Sequence, residues 1–396
     1  MPAYCGDVNP ASHRYGSVEA GLWSLSRRYK REVATRRTIG RLFDAMSACS
    51  RFHTRLNAIG WPWSGGAVSS VEWASLLDIH PNAQPGRVVQ QHRNGYRVAF
   101  STDGIEVITA PVAWQRSDFP AQLRAAVGDW VLVEAGQIVA LLPRHRVLKR
   151  AVTGQPFEQQ IIASNIDTAL ILCGLNQAFS LRRIIGYCLM ASSGGVEPVV
   201  VLTKADQYEQ VQERVEYIQE ALGKTRVIVL DPRRQESLTA LTPWLRSGTT
   251  LVIVGPSGAG KSTLTNTLLG YPATLTGAVR PQDGSGRHTT SQRTLWSLPA
   301  GACVIDTPGM RELKPTGEEL LETEFADIIA YAHQCRFRDC QHQHEPGCAV
   351  QSAVRLGQLS SHRVQHFRIF GQEIAQRGQK AGKPQRTKRG RRTRLD

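Results

Sequence analysis

The chain has 396 residues and a formal net charge of +15, a length that suits two or three domains with cores of their own. No apolar run reaches the roughly 18 residues of a membrane-spanning helix, and no apolar segment follows the N-terminal arginines, so we expect neither a membrane span nor a secretory signal. Five of the eight cysteines are scattered, which indicates no disulfide framework and predicts a reducing cytoplasm.

Most of the excess positive charge lies at the two ends of the chain. Residues 1–54 carry nine Lys/Arg against four acidic residues, and the last 20 residues carry nine against one. Such arms are typical of proteins that contact a polyanion, here nucleic acid or the ribosome, although tails that only aid solubility have the same composition. We predict a basic extension over 1–54, disordered or, because Met46 could also begin translation, not translated. We also predict a basic tail over 373–396.

Short alternating segments begin near Gly86 and are separated by Gly, Asp and Asn turns. They read GRVVQQ, GYRVAFS, GIEVITAPV and GDWVLVEAGQIVALLP, which predicts the five strands of an OB-fold β-barrel over 80–150. Barrels of this type often bind RNA, and four basic residues follow the last strand, namely Arg144, Arg146, Lys149 and Arg150. The alternative is a spacer barrel whose arginines are only solvated.

Beyond residue 165, apolar runs of strand length alternate with helical stretches. The runs are residues 166–172, 199–202, 226–230, 250–254 and 302–305. This alternation predicts a parallel sheet covered by helices on both faces. After residue 318 we expect helices, including one near 350–370. The predicted fold is therefore multidomain: the barrel, an α/β domain over 153–322 and a mostly helical domain over 323–372.

The apolar run TTLVIV leads into GPSGAGKST, the pattern of a phosphate-binding loop between a strand and a helix. Backbone N–H groups of such a loop surround a phosphate chain, and the following helix points its positive end at it. Lys261 should reach the terminal phosphates, and the Ser262 hydroxyl should ligate Mg²⁺. The predicted nucleotide-binding residues of this loop are Gly255, Pro256, Ser257, Gly258, Ala259, Gly260, Lys261, Ser262 and Thr263.

The sequence DTPG follows another predicted strand, at a spacing from the loop that suits a D-x-x-G motif. Asp306 at a strand end can hold Mg²⁺ through water, and the Gly309 N–H can meet a γ-phosphate. The alternative is an Asp-Pro-Gly turn that only ends the strand.

The sequence TKAD closes the predicted strand EPVVVL. The Asp206 carboxylate could accept two hydrogen bonds from guanine, which adenine cannot offer, while the stem of Lys204 lies along the base. Thr203, Lys204 and Asp206 are therefore the candidate base-reading residues, although Asp is also common as a helix N-cap.

The order of these motifs is informative. In GTPases of the Ras type the base-reading motif follows the phosphate loop and D-x-x-G, whereas here it precedes both. We therefore predict a circularly permuted GTPase domain, which is tolerable because the termini of domains often lie close together at the surface. The segment that senses the γ-phosphate then leads directly into a cysteine-rich module.

That module reads CRFRDCQHQHEPGC. Three cysteines and one histidine in a short segment with a Pro-Gly turn suit a closed tetrahedral zinc site. Four protein ligands leave no open position, so the single Zn²⁺ would be structural. The predicted ligands are Cys335, Cys340, His342 and Cys348, with His344 as an alternative that spacing does not exclude.

A barrel, a permuted GTPase and C-x₄-C-x-H-x₅-C together closely resemble the bacterial ribosome small-subunit-dependent GTPase A (RsgA) family. The matching strings are GDWV, LPRHRVLKR, GPSGAGKST, GRHTT, DTPGMRE and CRFRDCQHQHEPGCAV. The resemblance implies a cytoplasmic late maturation factor that binds the small ribosomal subunit and its rRNA, hydrolyses GTP to GDP when the subunit stimulates it, and uses His342 for zinc. We expect a monomer.

The same resemblance implies that the GRHTT segment is the first switch. Thr290 would complete the Mg²⁺ shell, and His288 is a candidate for positioning the attacking water; it could also contact RNA or protein without a catalytic role. With Lys261 these are the candidate catalytic residues. Met310 stands where Ras-type enzymes carry a water-orienting Gln, so we expect slow hydrolysis by the protein alone.

Two departures from the family pattern concern the base. Thr203 stands where the family usually has Asn, and the loop LDPRR replaces a Ser-rich one, with Pro232 lacking an N–H to donate. Relaxed base choice is therefore one alternative. The other is an RNA-binding assembly protein that uses the nucleotide site as a switch with negligible turnover.

Overall fold

The computed structural model describes residues 56–381 with gaps at 62–72, 74, 93–94, 117, 153–154, 177–178, 275–291 and 310–324. The predicted basic extension, the end of the basic tail and three residues that bear on the predicted hydrolysis lie outside the described residues. These three are His288, Thr290 and Met310. Along the described part of the chain, no helix is both long and apolar enough to cross a membrane.

The predicted five-stranded barrel is confirmed. Its strands are β1 (Gln84–Gln91), β2 (Gly95–Ala99), β3 (Ile105–Thr109), β4 (Trp130–Glu134) and β5 (Gln137–Leu141). Strand β1 pairs with both β2 and β4, while β3 pairs with β5, so the sheet closes on itself. The short helix α1 (Val112–Gln115) lies between β3 and β4. Alternate apolar side chains fill the barrel, as the period of two along each strand requires.

A β-hairpin that the sequence did not reveal follows the barrel. Its strands are β6 (Val147–Val152) and β7 (Gln155–Ser164), which form a separate two-stranded sheet within the described residues. The four basic residues predicted to contact RNA lie in and just before this hairpin, and Arg144 also has a structural role. Its guanidinium pairs with the buried Asp129 at 2.6 Å and donates to the Gln122 and Arg124 carbonyls. Arg144 therefore stabilises the barrel.

The α/β domain contains six strands of the large sheet. They are β8 (Thr168–Gly174), β9 (Glu197–Thr203), β10 (Arg226–Val229), β11 (Thr250–Val254), β12 (Thr294–Ser297) and β13 (Cys303–Asp306), in the order β10-β9-β8-β11-β13-β12. Five are parallel, as predicted, but β12 runs antiparallel to β13. The reason is the short connection over 298–302, since a parallel crossover needs a dozen or more residues.

Helices cover both faces of this sheet, as the apolar strands require. They are α2 (Leu181–Ser193), α3 (Val211–Leu222) and α4 (Lys261–Leu269). Residues of α2 and α3 share one core with the C-terminal helices. Residues of α4 and of a 3₁₀ segment, Gln235–Leu241, belong to the core on the other face.

Arg87 of β1 joins the barrel to the rest of the molecule. Its side chain is fully buried, lies 5.2 Å from the Trp130 ring centroid, and donates to the Ile59, Gly128 and Asn165 carbonyls. Burial lowers the pKa of this guanidinium, and the carbonyls compensate its lost hydration. The barrel also meets the α/β sheet directly, because β1 pairs with β12.

The C-terminal region contains α5 (Ala326–Ala332), α6 (Ala349–Arg355) and α7 (Ser361–Ala381). The single helix expected near 350–370 is therefore two. Gly357 has φ of 70°, a left-handed conformation that ends α6, and the Ser360 hydroxyl accepts from the Arg363 N–H at the start of α7. Helix α7 also continues past residue 372, where we expected the tail to begin.

Candidate functional site

The phosphate-binding loop lies between β11 and α4, where the sequence predicted it. Gly255 has φ of 145°, and a Cβ there would lie 2.3 Å from the Leu172 carbonyl oxygen of β8. Gly260, just before α4, has φ of 94°. A side chain at Gly255 would therefore force the loop away from β8, and both positions need glycine.

Lys261 is the first residue of α4, and only 7% of it is exposed. Its ammonium donates to the Gly255 and Pro256 carbonyls at 3.1 and 2.9 Å. Burial lowers the pKa of Lys261 to about 8, while the nearby Asp306 carboxylate acts to raise it. The cation therefore lies inside the curve of the loop, with Ser262 buried beside it.

The D-x-x-G segment meets this loop at the end of β13. Asp306 is fully buried, and the Thr307 hydroxyl donates to the Ile253 carbonyl at 2.7 Å. A Cβ on Gly309 would lie 3.0 Å from the Ser257 nitrogen, so Gly309 packs directly on the phosphate loop. A hydroxyl from Ser262 and a carboxylate from Asp306 are oxygen ligands of the kind that Mg²⁺ prefers.

The base-reading segment lies on the other side of the loop, after β9. The Thr203 hydroxyl is fully buried and donates to the Ala259 carbonyl at 2.9 Å. Thr203 therefore braces the phosphate loop without the amide of the Asn that the family usually has, because its short hydroxyl reaches the loop directly. Lys204 has φ of 58°, and its stem lies over Gly174 at the end of β8.

The LDPRR loop completes this side of the site. Pro232 is buried, packs against Gly260, and accepts a hydrogen bond from the Thr267 hydroxyl. The next residue, Arg233, pairs with both Asp206 and Asp231. From the sequence, this loop is notable only for Pro232, which lacks an N–H. The sequence pattern did not predict the ion pair between Arg233 and Asp206.

The four predicted zinc ligands come together in the C-terminal region. The ligand atoms of Cys335, Cys340, His342 and Cys348 all lie within 4.8 Å of one another. The Cys335 and Cys348 sulfurs are 3.9 Å apart, and each is 3.6 Å from His342 Nδ1. Tetrahedral zinc with ordinary bond lengths requires a sulfur–sulfur separation of roughly 3.8 Å. The chemistry and spacing of this donor set therefore fit Zn²⁺.

The structure distinguishes the two histidines that spacing left open. His342 is buried within the cluster, whereas His344 is exposed. Glu345 holds the turn between them by accepting from the Gln341 and Gln343 N–H groups, and these backbone hydrogen bonds lower its pKa to about 2. The left-handed φ of 55° at His342 turns its ring toward the cysteines.

Together, the fold and the site define a P-loop GTPase whose base-reading strand precedes the phosphate loop in the chain, which is a circularly permuted arrangement. The motif order that the sequence predicted is confirmed. A family model described as RsgA GTPase matches residues 141–316.

Relatives with the name small ribosomal subunit biogenesis GTPase RsgA cover most of the chain. One from Xylella fastidiosa (strain M23) is 52% identical over 322 residues, which is 81% of this chain and 96% of the relative. One from Xanthomonas campestris pv. campestris (strain B100) is 50% identical over 331 residues, 83% of this chain and 91% of the relative. The chain belongs to the RsgA GTPase family.

Solved structures show the same fold. The crystal structure of YloQ, a circularly permuted GTPase, has a TM-score of 0.52 and 24% identity, with 77% of this chain and 98% of that chain covered. The crystal structure of YjeQ from Thermotoga maritima has a TM-score of 0.51 and 23% identity, with 76% and 100% covered.

Proposed function

We propose that this GTPase acts in late maturation of the small (30S) ribosomal subunit, hydrolysing GTP to GDP and phosphate when the subunit stimulates it. The observation that carries the proposal is the meeting of three motifs at one end of the sheet, with Gly309 and Thr203 both contacting the phosphate loop. The relatives' name, small ribosomal subunit biogenesis GTPase, supports the partner.

In this proposal the loop and its flanking motifs hold GTP or GDP with Mg²⁺. Lys261 binds the terminal phosphates and neutralises their charge, while Ser262 and Asp306 support the metal directly and through water. Asp206 reads guanine, and the stem of Lys204 lies along the base. The remaining nucleotide-binding residues are Thr203, Gly255, Pro256, Ser257, Gly258, Ala259, Gly260, Thr263 and Gly309.

Hydrolysis depends on the first switch, where we assign Thr290 to the Mg²⁺ shell and His288 to the attacking water. Met310 follows D-x-x-G, and a thioether is only a weak acceptor. The protein alone is therefore slow, and the bound subunit must improve the alignment of water.

The zinc cluster is structural in this proposal. Cys335, Cys340, His342 and Cys348 use all four tetrahedral positions, which leaves none for a substrate. Cys335 follows α5 and Cys348 begins α6, so these ligands would tie the two helices together when Zn²⁺ is bound and would preserve the shape of the domain that follows the γ-phosphate-sensing segment.

We propose a division of labour along the chain: a barrel over 80–150, the GTPase domain over 153–322 and a zinc-binding helical domain over 323–381 that includes all of α7. The basic ends, over 1–54 and 382–396, contact rRNA in this proposal. In this proposal the protein acts in the cytoplasm, where its substrate and partner are found, and does not use a membrane. It acts as a monomer.

Multiple-turnover phosphate release tests this function, with GTP and with ATP, each with and without purified small subunits. We expect GTP turnover that the subunit raises strongly and little use of ATP. Turnover that the subunit does not raise would exclude subunit-stimulated catalysis, and equal use of ATP would exclude guanine selection. Negligible turnover with tight subunit binding would instead favour the switch without catalysis.

The basic tail has its own test. A chain ending at Ala381 keeps α7 intact and removes most of the C-terminal positive charge. We expect weaker subunit binding and a flatter dependence on salt, because fewer counterions are released from rRNA. Unchanged affinity and salt dependence would show that the tail only aids solubility.

A further inference from the structure

Arg233 and Asp206 form an ion pair at the edge of the nucleotide site. Arg233 Nη2 lies 3.1 Å from Asp206 Oδ2, across 27 residues of sequence. The two side chains are about half exposed, 61% and 51% respectively, so the pair borders solvent where a base could enter. Asp206 is the carboxylate to which we assign guanine recognition.

Asp231 holds the guanidinium of Arg233 in place beside Asp206. Arg233 Nε donates to Asp231 Oδ1 at 2.9 Å, and Nη2 donates to Asp231 Oδ2 at 2.8 Å. The backbone N–H of Arg233 also donates to Asp231 Oδ1. Three hydrogen bonds donated by Arg233 to one carboxylate therefore set the position of the guanidinium, and its planar geometry leaves Nη2 directed at a second acceptor.

The loop that carries Arg233 is itself anchored to the phosphate-binding elements. Pro232 packs on Gly260, and its carbonyl accepts a hydrogen bond from Thr267 of α4. The LDPRR loop thus connects Asp206, through Arg233, to the phosphate-binding loop. Arg234 is next in sequence, and among the residues that the structure describes its guanidinium pairs with Asp231, at 3.8 Å, and not with Asp206.

We infer that Arg233 is a positioning residue for guanine selection: it holds the Asp206 carboxylate in the orientation that accepts two hydrogen bonds from the base. The inference rests on the proposed guanine site and deepens it. One Asp206 oxygen remains able to accept from the base while the other shares its lone pairs between Arg233 and the base, because a carboxylate offers about four acceptor positions.

Binding calorimetry of the full chain with GDP, IDP and ADP tests this inference. Hypoxanthine in IDP keeps the ring N–H but lacks the exocyclic amine, so the GDP-to-IDP affinity ratio reports on the second hydrogen bond. For Arg233→Ala we expect GDP affinity to fall about fivefold, the upper end for an exposed ion pair. We expect ADP affinity to stay constant and the GDP-to-IDP ratio to shrink.

Matched variants make the test specific. Arg234→Ala removes the neighbouring arginine and should leave all three affinities unchanged, while Arg233→Lys should restore part of the GDP affinity through a single donor. In an Asp206→Ala background, Arg233→Ala should have no further effect on GDP, since the two changes remove the same interaction. High salt should weaken selectivity in the natural protein more than in Arg233→Ala.

Other outcomes contradict the inference. Tighter GDP binding by Arg233→Ala would show that the arginine competes with the base for Asp206, and an equal loss of GDP and ADP affinity would show a general role in loop folding. If the natural protein itself does not prefer GDP to ADP, the proposed guanine function fails. If that preference stands and Arg233→Ala leaves it intact, only the positioning role fails.

Discussion

The Thr203 hydroxyl donates a hydrogen bond to the Ala259 carbonyl across 2.9 Å, in a fully buried position. This contact joins the end of β9 to the phosphate loop. This hydrogen bond supports the phosphate loop, whereas Arg233 pairs with Asp206, the carboxylate to which we assign base recognition. The two residues should therefore affect nucleotide binding in different ways.

For Thr203→Val we expect GDP and ADP affinities to fall together by about fivefold, since the loss of a buried neutral hydrogen bond costs about 1 kcal/mol. Valine keeps the β-branched shape but leaves the Ala259 carbonyl unpaired. Titration calorimetry with both nucleotides measures the change. Thr203→Ser retains the hydroxyl and is the matched control. A selective loss of GDP affinity would instead place Thr203 in base recognition.

Nucleotide binding should take up a proton near pH 8. Burial lowers the pKa of Lys261 to about 8, although Asp306 acts to raise it, so the lysine is half neutral at that pH before binding. Bound phosphates favour the ammonium form. We expect uptake of about half a proton per GDP at pH 8, and affinity should decline as the pH rises through 8.

Calorimetry in two buffers of different ionisation enthalpy measures this uptake directly. The same titrations at pH 7 are the control, because Lys261 is then mostly protonated and little uptake should remain. Equal apparent enthalpies in both buffers at pH 8 would show that Lys261 is already charged before the nucleotide binds.

The sequence predicted the site best where chemistry and spacing are local. The phosphate loop and the cysteine cluster each lie within a short segment, and the strand Thr250–Val254 has the predicted bounds. Strand β12 is short and not obviously apolar, so periodicity did not reveal it. The break at Gly357 did have a signal, because a glycine followed by Ser360 is a common helix end and start.

The contacts that sequence reasoning missed depend on tertiary structure. The carbonyl partners of Arg87 come from three separate segments, and Arg144 finds Asp129 only after the barrel closes. Thr203 reaches Ala259 across 56 residues. The residue type identified the charged group or the hydroxyl at each position, but no local pattern indicated which distant group it would pair with.

Removal of zinc should loosen the C-terminal region. Cys335→Ser replaces one thiolate with a hydroxyl that is a poor zinc ligand, so we expect the bound zinc to fall from one equivalent toward zero. Amides of α6 (Ala349–Arg355) should then exchange faster, because Cys348 also accepts the Gln351 N–H at the start of that helix.

Elemental analysis and hydrogen exchange measure both effects, and chelation of the natural protein should reproduce them. His344→Ala is the matched control: His344 is exposed and outside the cluster, so its loss should change neither zinc content nor exchange. Full zinc occupancy in Cys335→Ser would remove Cys335 from the ligand set.

Arg363 connects the zinc-binding region to the GTPase domain. The guanidinium donates to both Asp327 oxygens at 2.8 and 2.9 Å and to the Ala221 carbonyl of α3 at 2.7 Å. It also lies 4.9 Å from the Phe325 ring centroid. Arg363→Met keeps the apolar stem but leaves the carboxylate and the carbonyl without this partner. We expect the free energy of unfolding to fall by about 2 kcal/mol, less than for a fully buried pair because Asp327 is 45% exposed.

Urea unfolding and hydrogen exchange of α7 measure the loss. Arg355→Met is the control: it removes an exposed arginine that donates to the neighbouring Ser352 hydroxyl, so it should change neither the unfolding free energy nor the exchange. Burial acts to raise the pKa of Asp327, but Arg363 outweighs it and lowers the pKa below its ordinary value. The contribution of the Arg363–Asp327 pair to the free energy of unfolding is therefore complete at neutral pH and is lost as the pH falls below about 4. Arg363→Met should reduce the acid sensitivity of α7 exchange. If that sensitivity is unchanged in the variant, the Arg363–Asp327 pair does not stabilise the packing of α7 against α5.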